Sequence, residues 1–153
     1  MIIDGHCDTI KECYKRKCSI ANKTLSFNIA DAHTPMIEML AVYISPEEAQ
    51  NGFDITSKVL DKFYEEKAIF QDKIVQIYSA QDIENVKENN IGILLTIENG
   101  SAIQGKLSNI DKLYDRGIRM MSIVWNESND LASGALEEND NGLTTLGVKF
   151  IQY

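Results

Sequence analysis

The apolar positions of this chain fall into short runs separated by polar stretches. Ile91-Gly92-Ile93-Leu94-Leu95-Thr96-Ile97 is the most hydrophobic run. It shows no apolar–polar alternation, which predicts a strand buried on both faces, as in parallel sheets. Met39–Ile44 is a second strand, stopped by Ser45-Pro46. Ile74–Tyr78 is a shorter one, and Ile118–Trp125 another that ends in Asn126-Glu127-Ser128-Asn129. At the N-terminus Met1-Ile2-Ile3 runs straight into Asp4-Gly5-His6-Cys7-Asp8. That predicts a very short buried strand closing in a tight turn.

Helical patterns lie between these runs. Ser45 reads as an N-cap, with Pro46 at the first helical position and Glu47 and Glu48 in the first turn. Helix resumes from Ile55 to about Phe70, where Val59, Leu60, Phe63 and Tyr64 share a face, and Asn51-Gly52 interrupts the two pieces. Ser79 caps a polar helix over Asp82–Asn89, and Ser108 caps another over Asn109–Arg116, with Gly117 just past its end. Ile10–Cys18 is a short helix or loop with a basic face. Ser19–Phe27 is polar with little periodicity, and Asn28–Pro35 reads as loop, where His33 takes a surface or capping role. Leu131–Asn141 is a polar acidic loop, and Gly142–Gly147 opens a last helical pattern.

Strands alternating with helices long enough to be crossovers imply a parallel α/β sheet. No Gly-x-Gly-x-x-Gly and no phosphate loop is present, so a nucleotide site has no motif behind it. A (β/α) barrel fits better. A full barrel takes eight units and roughly 250 residues, and 153 residues offer about half of that. Either the sheet is open, or the chain is the front half of something larger.

Hydrophobic content is 44% and charged content 25%, which with the length gives one soluble globular domain. The net charge of −8 argues against nucleic acid and anionic membrane as partners. No apolar run is long enough to span a bilayer, and no secretory signal opens the chain. The cysteines Cys7, Cys13 and Cys18 are odd in number and include no Cys-x-x-Cys, which fits free thiols in a reducing cytoplasm.

The polar residues that draw attention stand just past predicted strand ends, the face where barrels do chemistry. His6 and Asp8 are two apart, so in extended chain they point the same way, and Cys7 between them turns away as a small buried filler. Imidazole plus carboxylate suits Zn²⁺ or a similar divalent ion. The plain alternative is a turn with a solvated Asp and a hydrogen-bonded His. Glu98 follows seven nearly uninterrupted apolar residues. A carboxylate there is costly unless exposed, paired or metal-bound. It is either a strand end emerging into water or, with His6 and Asp8, the third member of a metal site.

Four stretches, in order, resemble the membrane (renal) dipeptidase family, the M19 zinc peptidases. Asp4-Gly5-His6-Cys7-Asp8 is similar to its Asp-Gly-His-x-Asp opening, and Thr96–Gly100 to its Glu-Gly-Gly-like segment. Leu113–Ser122 resembles its Leu-Tyr-x-x-Gly-Val-Arg stretch, and Gly142–Gly147 its Gly-Leu-Thr-x-x-Gly. The resemblance covers essentially the whole chain. It implies the N-terminal half of a (β/α)8 TIM-type barrel of the amidohydrolase kind. It also implies a binuclear zinc site and hydrolysis of a dipeptide; a different amidohydrolase-like activity, on an N-acyl amino acid or a lactam, is an alternative because most of the family's selectivity residues are not in this stretch. His6 and Asp8 would be ligands of the first zinc and Glu98 would bridge both ions. The family's remaining histidine ligands, substrate-binding arginine and catalytic aspartate lie beyond Tyr153. The half-chain would then be incomplete for catalysis, or would be a non-catalytic module that pairs with itself or with a separate C-terminal half. Where many members carry a histidine that contacts the reacting carbonyl, this sequence has Trp125 followed by Asn126. An indole offers only its N–H donor.

Overall fold

A computed structural model describes residues 1–153. Five strands alternate with five helices. They are β1 (Ile2–Cys7), α1 (Thr9–Arg16), β2 (Met36–Tyr43), α2 (Gly52–Ile69), β3 (Ile74–Gln76), α3 (Ala80–Ile83), β4 (Ile91–Glu98), α4 (Ser108–Asp115), β5 (Ile118–Met121) and α5 (Thr145–Gln152). The sheet runs β1-β2-β4-β3, with β5 also pairing with β4. β1 is parallel to β2 and β3 is parallel to β4. The sheet is not closed into a barrel.

The chain divides into two compact units. One holds Met1–Val42 and Lys58–Thr96, the other Tyr43–Ser57 and Ile97–Tyr153. In the first, Ile91, Ile93 and Leu95 on β4 are fully buried, which is how an unbroken apolar run behaves inside a parallel sheet. Gly92 lets neighbours close in, because a Cβ there would stand 2.8 Å from both Ile77 and Val86. Val59, Leu60 and Phe63 of α2 are likewise fully buried. In the second unit the core includes Ala102, Ile103, Leu113 and Leu131. The last glycine of Gly142–Gly147 is set by packing, since a Cβ on Gly147 would collide with the Leu131 carbonyl.

Three expectations change. β1 is exposed at every position but Cys7, although its isoleucines read as a buried strand. It is the terminal strand of the sheet, and local sequence does not announce edge position. The helix expected over Asp82–Asn89 is a single turn, Ala80–Ile83. Its N3 residue, Asp82, folds back to accept from Tyr78 N (3.0 Å) and Ser79 N (2.8 Å), while Val86 is the one apolar residue between Ile83 and Asn89 and enters the core with Ile37 and Ile77. The strand expected over Ile118–Trp125 stops at Met121, after which the backbone bonds to the end of β4 (Ser122 N to Ile97 O, 3.0 Å) and to the residues just past it (Gly100 N to Ile123 O, 3.1 Å).

Candidate metal centre

The N-terminal part of the site grows out of β1. Its ladder with β2 pairs Asp4 with Glu38 and then Cys7 with Leu40, so three steps on one strand match two on the other. The slip carries Cys7 inward, where it is 8% exposed and its thiol donates to Thr9 Oγ1 at 3.0 Å. His6 and Asp8 stay at the surface. His6 Nε2 lies 3.5 Å from Asp8 Oδ2, with each side chain about half exposed. Asp8 is also the residue from which α1 starts. Both side chains open onto a cavity of about 490 Å³ that Asp4, Thr9, Glu12 and Arg16 share.

Glu98 is the last residue of β4, and it is half-buried. Its carbonyl accepts from Ile44 N at 3.0 Å. The next residue, Asn99, has φ +79°, a backbone region costly for most L residues and one that Asn tolerates better than most. The side chain of Asn99 is 3% exposed and fully engaged. Its amide donates to Ile44 O (2.8 Å), and its oxygen accepts from Ser101 N (3.1 Å) and Asn129 Nδ2 (2.8 Å). Asn99 N donates to Ser122 Oγ at 2.9 Å. This network fixes the chain as it leaves Glu98. Neither Asn99 nor Asn129 was singled out by sequence reasoning. The available signal was Asn before Gly at a strand end, a pattern that tolerates positive φ.

Trp125 lies four residues beyond β5 and packs edge-on against Tyr43, ring centroids 4.9 Å apart. Burial, then the charges of Glu127 and Glu98, push the Tyr43 phenol above its usual range, which keeps it neutral. Asn126 is placed by its backbone, whose carbonyl accepts from Leu136 N at 2.8 Å.

One group of side chains could hold a metal ion: His6, Asp8 and Glu98, which each offer a ligand atom within 4.8 Å of the others. A ring nitrogen with two carboxylates is a donor set that divalent ions of the zinc type accept. His33, the other histidine, is exposed and outside that group.

The chain belongs to the family described as Membrane dipeptidase (Peptidase family M19), whose model matches residues 1–153. Three solved structures share its fold. One is a dipeptidase described as a metallo peptidase of family M19 (12% identity, TM-score 0.78), of which the match covers 98% of this chain and 52% of the other. Another is a metallo peptidase from Rhodobacter sphaeroides, liganded with a phosphinate mimic of the dipeptide L-Ala-D-Ala (14% identity, TM-score 0.78, 98% and 54%). The third is the probable dipeptidase PvdM from Pseudomonas aeruginosa (21% identity, TM-score 0.65, 76% and 34%). The chain thus spans about half, or less, of the length of these structures. No curated protein matches it.

Proposed function

We propose that His6, Asp8 and Glu98 hold a zinc ion, and that the chain serves hydrolysis of the amide bond of a dipeptide. The observation that carries this reading is the convergence of one imidazole and two carboxylates on one point, in a chain of a dipeptidase family. A zinc ion supplies Lewis acidity toward a scissile carbonyl and lowers the pKa of water. The residues of this chain supply the rest. Asp8 and Glu98 offset the positive charge, and His6 contributes a neutral nitrogen donor. The Asn99 network holds the backbone after Glu98, so that its carboxylate is presented from a fixed strand end.

Zinc content and affinity of the purified chain, beside a His6→Ala/Glu98→Ala double variant, test the centre. Tight stoichiometric zinc that the double variant loses supports it; equal zinc in both overturns it. The substrate class is tested separately with a phosphinate dipeptide mimic, which should bind the zinc-loaded chain and not the apo chain. Turnover by this chain alone is expected to be weak, because three ligands suffice for one ion only.

A second reading rests on β1. Ile2 and Ile3, 50% and 63% exposed on a terminal strand, make an edge suited to pairing with a second copy or a separate partner chain. A monomer by light scattering at high concentration would remove it.

A further inference from the structure

The end of α1 places two cysteines together. Lys17 takes the left-handed conformation (φ 50°, ψ 44°) that ends the helix. Around it the backbone makes the two bonds of a Schellman motif: Cys18 N donates to Cys13 O at 3.1 Å, and Lys17 N to Tyr14 O at 3.4 Å. In that motif the side chain three positions before the last helical residue meets that of the residue following the left-handed one, commonly as an apolar contact. Here both positions are cysteine. The Cys13 thiol is in hydrogen-bond contact with Cys18. An N–H···O link of 3.1 Å leaves the two Cα atoms no more than about 7 Å apart, and disulfides span roughly 4.4–6.8 Å.

The two thiols differ in access. Cys13 is fully buried, and burial, with the neighbouring Cys18 and Glu66, pushes it up to about 12. Cys18 is partly exposed. Cys13 also borders a cavity of about 370 Å³ whose rim carries Lys17, Lys58 and Lys62 together with Asp61 and Glu65. Thiol–disulfide exchange needs one accessible sulfur to receive the reagent and a second one held against it to resolve the product. The helix end supplies both.

We propose that Cys13 and Cys18 are a reversible dithiol–disulfide pair, oxidised by low-molecular-weight disulfides. The Cys18 thiolate attacks one sulfur of the reagent RS–SR. The reagent's S–S bond breaks, and the departing RS⁻ takes up a proton. Cys13 then gives up its proton and attacks the Cys18 sulfur. The Cys13–Cys18 bond forms and the second R group leaves as RSH. Two protein thiols are oxidised and one reagent disulfide is reduced to two thiols. Cys7, buried on β1 with its thiol turned to Thr9, takes no part.

The test is a peptide map of the folded chain after oxidised glutathione and an acid quench. Trypsin cleavage at Lys11, Lys15, Lys17 and Lys23 puts each cysteine on its own peptide: 1–11, 12–15 and 18–23. The expected product is 12–15 linked to 18–23, exceeding the Cys18–glutathione adduct by about tenfold or more, and reversed by dithiothreitol. In Cys18→Ser, Cys13 should stay unmodified. A persistent glutathione adduct on Cys18 with Cys13 free, a linked peptide containing Cys7, or the same product ratio in chain unfolded by guanidinium would each overturn the proposal. The wild-type map decides the matter even where a variant fails to fold.

Discussion

β4 ends in a residue of the candidate metal group, whereas β1 carries two of them either side of its last residue, Cys7, and the strands present them in opposite ways. β4 is buried along almost its whole length, so Glu98 sits at the end of a strand that cannot move without opening the core. β1 is exposed at all but its last residue, and His6 and Asp8 are about half exposed. One ligand is therefore held by the fold. The other two are held by a register, a short turn and each other. A metal bound by all three would restrain β1 more than β4.

The contrast can be broken most forcefully in β4. Leu95→Ala removes a fully buried side chain and should cost about 2–5 kcal/mol in urea unfolding. A change below about 1 kcal/mol would mean that β4 is not the fixed member of the pair.

The strand that joins the two carries the next effect. Glu38 on β2 is fully buried, neither carboxylate oxygen has a hydrogen-bond partner, and its register partner is Asp4. Burial, then the Asp4 charge, pushes its carboxyl from 4.5 up to about 8. The folded state therefore keeps a proton that the unfolded state loses. The favourable balance is complete below about pH 4.5 and is lost as pH rises toward 8, a loss of roughly 3 kcal/mol by pH 7. Glu38→Gln should flatten that fall and stabilise the chain above neutral pH, as read from denaturation at pH 5 and pH 8. An unchanged pH dependence would refute the assignment.

Asn99→Ala strands the Ile44 carbonyl and the Ser101 N–H and leaves Asn129 Nδ2 with only the Ile123 carbonyl, and should cost about 1–3 kcal/mol. It should also weaken zinc binding if the turn orients Glu98, which calorimetric titration would show. The smallest effect belongs to β1. Ile3→Ala, at a position 63% exposed, should change stability by less than about 0.5 kcal/mol, and a larger loss would mean that this edge is covered in solution.

Much of this was legible in the sequence where burial follows from the run itself. Ile91–Ile97 announces a two-faced buried strand because no residue in it can tolerate water on either side, and the Val59/Leu60/Phe63 face of α2 does the same with a helical period. What local pattern cannot carry is position in the sheet, so the isoleucines of β1 read as core. The His6–Asp8 spacing is realised as a close pair, through a register slip that simple alternation does not contain. Glu98 drew attention because a carboxylate after an apolar run is costly. Asn99 did not, since its role depends on a backbone angle. The Cys13–Cys18 contact escaped notice for a related reason: it exists only because the helix stops at Arg16.

The slip between Asp4 and Cys7 gives β1 a reading frame. Before it the strand's inward and outward positions keep one phase with β2, and after it the phase is shifted by one residue. Gly5, inside the shifted stretch, has open space where a Cβ would lie. The segment should therefore accept a new side chain at Gly5. Loss of a single residue there would even the ladder, with Cys7 still opposite Leu40 and one residue in place of two between it and Asp4. The count of residues between Asp4 and Cys7 therefore decides which way His6 faces, while Gly5 itself leaves room for a side chain.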